Sequence, residues 1–158
     1  MKSTGLAALA QALALPAWAQ DAKPTEGKID ASFTWSLVDL ASVPAGEGQS
    51  VSVNEVLLVV TGNEPGPYQQ LGGRCLFFSR VNGDASGSCH LADPDGDQIF
   101  EQIEETGGKR HGAITGGTGK FAGITGEHEF TLTPYASVRE GTQQGVGRKT
   151  GTWRMSGS

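Results

Sequence analysis

From residue 29 the chain alternates between apolar and polar positions. In "IDASFTWSL", Ile29, Ala31, Phe33, Trp35 and Leu37 fall on one side, and Asp30, Ser32, Thr34 and Ser36 on the other. A period of two describes a strand with one buried face. "SVSVNEVLLVV" follows, rich in β-branched residues, after the turn-forming "PAGEGQ", and "GNEPGPYQQLGG" reads as a long loop. "RCLFFSRV" and "GSCHLAD" read as two strands joined by "NGDASG", where Asn82-Gly83 is a favoured hairpin pair. "DPDGD" gives another turn. "QIFEQIEE" is a strand with a helical alternative, and "RHGAITG", "KFAGITGEHEFTLTPY" and "GRKTGTWRM" complete the set. About eight short strands and no amphipathic helix predict an all-β domain, a sandwich or a single antiparallel β-barrel. The 24 glycines, about twice the usual fraction, favour a closed barrel, where glycine relieves crowding at bends.

The N-terminus departs from this pattern. Met1 and Lys2 precede "LAALAQALALPAWA", an apolar run ending in Ala17-Trp18-Ala19. A basic start, a short apolar run and an A-x-A exit predict a secretory signal peptide over residues 1–19. The run falls short of the roughly 20 residues needed to span a bilayer. Residues 20–28 read as a flexible leader and 29–158 as the barrel, in a protein exported to the periplasm or beyond the cell. With a net charge of −5 and no Lys/Arg cluster, nucleic acid is a poor partner, and no membrane span is expected after cleavage. Cys75 and Cys89 are the two cysteines. An even count in an oxidising compartment favours a disulfide. A metal pair or a catalytic thiol are the alternatives, although the spacing is too wide for C-x-x-C.

The glycine-rich "GGTGKFAGITGE" looks at first like a phosphate loop. A P-loop needs G-x-x-x-x-G-K-[ST] ahead of a helix. Here Ile114 stands at the first glycine, Phe121 stands at the hydroxyl, and the following segment alternates as a strand. The stretch reads instead as a tight turn, with Gly116, Gly117 and Gly119 supplying positive φ. "GGTGKFAGITGEHEF" resembles the G-G-T-G-[KR]-[FY]-x-G-x-x-G hairpin of the allene oxide cyclase and dirigent-like barrel proteins, over roughly residues 72–155. That resemblance implies an eight-stranded antiparallel barrel, often a trimer. It implies one of two activities in an apolar barrel pocket: cyclising a fatty-acid epoxide, or guiding phenoxy-radical coupling. Neither activity's catalytic set matches residue by residue, so no catalytic residue is assigned.

Other candidates come from the residues themselves. Asp93, Asp95, Asp97 and Glu104 occupy positions 1, 3, 5 and 12 of a calcium-loop template, but Gln98 stands where that template has glycine. An acidic turn leading into a strand is the simpler reading. His90 follows Cys89, so on a strand they face opposite ways. His111 and His128 flank the glycine hairpin and read as surface histidines, with a weak metal or acid–base alternative. Phe33, Trp35, Leu58, Phe77, Phe100, Phe130 and Trp153 are expected to point inward, with Tyr135, Arg139 and Glu127 at a mouth. The ligand-binding candidates are Trp35, Phe77, Phe100, Tyr135, Arg139 and Trp153. Two functions follow, neither calling for a cofactor. One is a barrel binding a small apolar ligand or an envelope partner. The other is a cyclase or isomerase, or a dirigent-like guide, marked by a buried Glu, Tyr or Arg beside a cavity.

Overall fold

A computed structural model describes residues 24–156, so the expected signal peptide lies outside the described residues. Eight strands follow in order: β1 (Glu26–Pro44), β2 (Ser50–Gly62), β3 (Gln70–Arg80), β4 (Ala85–Ala92), β5 (Gln98–Thr106), β6 (Lys109–Gly117), β7 (Ile124–Tyr135) and β8 (Thr142–Met155). Each pairs antiparallel with the next, and β8 closes on β1. Closure gives every strand two neighbours and removes the sheet edge.

Several strands outrun their side-chain patterns. β1 begins at Glu26, inside the segment expected as leader, and continues to Pro44 past a bulge at Leu40. β3 begins at Gln70, inside the expected loop, because Val60 pairs with Leu71 and Thr61 with Gln70. A ladder satisfies backbone groups whatever the side chain, so polar and glycine residues join it when a neighbour offers partners. "QIFEQIEE" is strand β5, and its helical alternative is corrected: Ile99, Glu101 and Ile103 point inward and are buried.

Alternation along β1 places Ile29, Ala31, Phe33 and Trp35 in the core, as the sequence pattern predicts. An up-and-down path puts the β1–β2, β3–β4, β5–β6 and β7–β8 hairpins at one rim. The other three connections and the chain ends lie at the opposite rim. That second end is filled: Val60, Leu71, Leu91, Ile99 and Ile124 are almost wholly buried, with Phe121 and Trp153 packed among them.

The glycine-rich stretch forms part of this filled end. After β6 a short 3₁₀ turn, Gly119–Phe121, places Phe121 in the core. Gly119 has φ +52° and lies against the Asp97 carboxylate, where a Cβ would overlap it. Only glycine meets both demands. Asp97 accepts the Lys120 backbone N–H, and the Lys120 ammonium pairs with Asp93 and Asp95. The β4–β5 loop is thereby stapled to the β6–β7 turn.

Cys75 and Cys89 are directly opposed on β3 and β4 and form a disulfide, with both residues buried inside the barrel. Their Cα atoms are 4.0 Å apart, as suits a non-hydrogen-bonded pair. The Val81–Asp84 turn around Asn82-Gly83 sets that register, with the Gly83 N–H donating to the Arg80 carbonyl. Replacing both cysteines by serine is expected to lower unfolding free energy by about 3 kcal/mol, read from urea midpoints. Unchanged midpoints would show that the strand ladder alone holds this wall.

Candidate functional site

The barrel is hollow toward the rim of the β1–β2 and β5–β6 hairpins. A cavity of about 320 Å³ lies there, walled by Phe33, Trp35, Leu58, Phe77 and Phe130 together with the disulfide. Trp35 is fixed by its indole N–H, which donates to the Val146 carbonyl at 3.2 Å. Into this apolar lining β5, β7 and β8 place Glu101, His128 and Lys149, all nearly fully buried. The β2–β3 loop adds Tyr68, also buried, from the filled side.

The other three converge on the Glu101 carboxylate. Lys149 Nζ donates to both Glu101 oxygens at 3.0 Å. His128 Nε2 lies 3.1 Å from Glu101 Oε1, and the Tyr68 hydroxyl donates to the same oxygen. The Lys149 ammonium also sits 5.0 Å from the Tyr68 ring centroid, within cation–π range. The imidazole has room because β6 carries glycine beneath it: a Cβ on Gly112 would overlap Cε1 and Nε2 of His128.

The electrostatics follow from burial. Burial is the largest effect on Glu101 and favours its neutral form, but the Lys149 charge and the bonds from His128 and Tyr68 together outweigh it. The carboxyl is held well below its usual range. His128 is pushed down, first by burial and further by the Lys149 charge, against the pull of Glu101. It is therefore neutral near pH 7. An ionised carboxylate accepts only, so Nε2 carries the proton, and His128 Nδ1 is left as a buried lone pair without a partner. Burial, then Glu101, pushes the Tyr68 phenol up, keeping it a donor. The site thus holds a charge pair of zero net charge and a neutral imidazole against an apolar cavity.

Against the sequence-based candidates, Trp35 and Phe77 line this cavity, as do Phe33, Leu58 and Phe130. Phe100 is corrected: it points outward and lies tilted against His90, because it neighbours inward Glu101 on a strand. Tyr135 and Arg139 are exposed at and beyond the end of β7, and Glu127 faces solvent beside His111. Trp153 is buried, but at the filled end against Gly27 and Gly66, outside the cavity. The acidic set does not converge on a metal. Lys120 neutralises Asp93 and Asp95, Glu104 faces outward on β5, and the described residues contain no metal-ligating group of three. His128 is the largest correction, buried rather than superficial. Its phase with Ile124, Phe130 and Leu132 marks it as inward, just as Glu101 is in phase with Ile99 and Ile103, and Lys149 with Trp153. Tyr68 comes from an irregular loop and carries no such signal.

No family model matches the chain, and no curated protein does either. Among solved structures, the pterocarpan synthase dirigent protein PsPTS1 aligns with a TM-score of 0.59 at 16% identity, covering 84% of this chain and 97% of that one. The fold is the dirigent-protein barrel. The pterocarpan synthase dirigent protein GePTS1 aligns at 0.56 with 15% identity, covering 87% and 90%. The dirigent-like barrel predicted from the glycine hairpin is therefore the one observed.

Both pKa displacements give this dirigent-like barrel the same acid response. The unfolded chain binds protons at His128 below about pH 6.5 and at Glu101 below about pH 4.5, while the folded barrel resists both. Their contributions are complete at pH 7 and lost on acidification, through the His128 window first and the Glu101 window next. Glu101→Gln strands the Lys149 charge and is expected to cost about 3–5 kcal/mol. The joint change Glu101→Leu with Lys149→Met is expected to recover most of that loss. A single variant as stable as the wild type, with the same acid response, would show the cluster to be uncoupled from the fold.

Proposed function

We propose that this exported barrel takes up a small, mostly apolar molecule bearing one oxygen function, with its body against Phe33, Trp35, Leu58 and Phe77. The cavity with Glu101, His128 and Lys149 in its wall carries this reading: apolar walls with a few polar groups are the usual make-up of a small-molecule site. A barrel of eight strands has room for one such ligand. The disulfide is compatible with export, and among the described residues no helix is long and apolar enough to cross a membrane. Leu57, Val59, Leu76 and Phe78 lie exposed on the outer face of β2 and β3, which supports self-association, the trimer of the family resemblance included.

A second reading is cofactor-independent cyclisation or isomerisation in the same cavity. It is favoured by the buried Glu101 and Tyr68 converging with a neutral histidine, since perturbed acid–base groups in a cleft mark reactive sites. In that reading Lys149 would steady negative charge on the ligand oxygen, and His128 would exchange its proton. The PsPTS1 and GePTS1 names denote pterocarpan synthases, a reaction class to try on this chain.

Native mass spectrometry of protein purified from its own envelope is expected to show one small molecule per subunit, released on denaturation. A subunit mass free of any adduct, with no uptake of 2-naphthol or naphthalene added at saturation, would overturn the binding reading. Uptake of both without any chemical conversion of oxygenated candidates would leave binding and remove catalysis.

A further inference from the structure

The barrel wall is not uniform around the cavity. Between β6 and β7 the ladder runs from Ile114 opposite Gly126 to His111 opposite Glu129 and stops there. β7 continues for six more residues, Phe130 to Tyr135, paired with β8 alone. β6 itself begins only two residues before His111, at Lys109, straight out of the tight Gly107-Gly108 turn, both glycines at positive φ. A seam without backbone hydrogen bonds therefore opens the wall beside the cavity.

Side chains close that seam. The inner cavity and a groove on the outer surface, flanked by Lys109, Glu129, Thr131 and Arg148, both have Arg110 and Phe130 in their lining. At this place the wall between inside and outside is those two side chains. Phe130 is only half-buried, edge-on to Phe33 at 6.5 Å and tilted on His128 at 6.1 Å. Arg110 Nε donates to Glu105 Oε2 at 2.8 Å, across the β5–β6 hairpin, with both groups partly in water. A partly solvated ion pair is a weak tie, and an aromatic ring turning about its χ1 breaks no hydrogen bond.

We propose that the seam between β6 and β7 is a side entrance to the cavity, with Phe130 as its shutter and the Arg110–Glu105 pair as its latch. Rotation of Phe130 into the outer groove joins groove and cavity without breaking any β-ladder pair. Two features of an incoming molecule are then selected before it reaches Glu101, His128 and Lys149. Its width must fit the gap left by one phenyl ring, and its charge must suit a passage bordered by the Arg110–Glu105 pair, Lys109, Glu129 and Arg148.

The test needs no ligand, so it is separable from the binding reading. Ile103 lies in the cavity wall just inside the seam, opposite Gly112 of β6 and one inward position from Glu105, and Ile103→Cys places a thiol there while the native disulfide stays closed. The rate of its alkylation by N-ethylmaleimide, followed by intact mass, reports access to the cavity. Phe130→Ala is expected to speed labelling at least tenfold. Arg110→Gln, a milder change that spares the core, is expected to speed it several-fold. Leu37→Ala enlarges the cavity wall outside the seam and is expected to leave the rate within twofold. Equal acceleration by Leu37→Ala, or no acceleration by Arg110→Gln and Phe130→Ala in folded protein, would overturn the proposal and place the entrance at the hairpin rim.

Discussion

One buried ion pair constrains the rest of the interior. Glu101 and Lys149 face each other across the barrel with both side chains almost out of reach of water. A buried charge is costly unless paired and hydrogen-bonded on its remaining sites. His128, Tyr68 and the glycines that make room for the imidazole read as consequences of that requirement. Below the cluster, toward the second rim, aliphatic and aromatic side chains fill the space. Above it a mostly apolar inner surface surrounds the cavity.

This arrangement is a poor way to make a barrel merely stable. Well-packed apolar residues of similar volume commonly replace a buried pair without loss, or with gain. The cluster lies at the boundary between packed core and cavity, with Glu101, His128 and Lys149 all in the cavity lining. Low local polarity strengthens every interaction made there. A protein of only about 130 barrel residues, by this size class, has little stability in reserve. The proposed binding reading rests on this combination of a cavity and a charge pair, with the disulfide between β3 and β4 bracing the wall around the cavity.

Much of the fold was legible because alternation and turn chemistry are local. The β1 face from Ile29 to Trp35, the Asn82-Gly83 hairpin and the Cys75–Cys89 register all follow from spacing along one or two strands. Strand ends were less legible, since Glu26 and Gln70 pair through backbone groups that no side-chain pattern announces. The site was the least legible. Glu101, His128 and Lys149 sit in phase with apolar neighbours, yet a lone polar residue in an alternating strand looks like an irregularity until the barrel closes and three strands bring them together. Phe100 misled for the complementary reason: an aromatic beside a charged residue suggests that the aromatic is the inward one, and here the carboxylate is.

The account stands on the protonation state of that cluster. Nitrogen-15 spectra of the histidine side chains at pH 7 read it directly, with His128 assigned by its loss in His128→Gln. The expected result is a neutral imidazole protonated on Nε2, with Nδ1 bare at pH 7 and taking up a proton only below pH 6.5. A doubly protonated His128 at pH 7 would contradict the neutral imidazole with its bare Nδ1, and a neutral ring protonated on Nδ1 alone would contradict Glu101 as the ionised acceptor of the Nε2 proton.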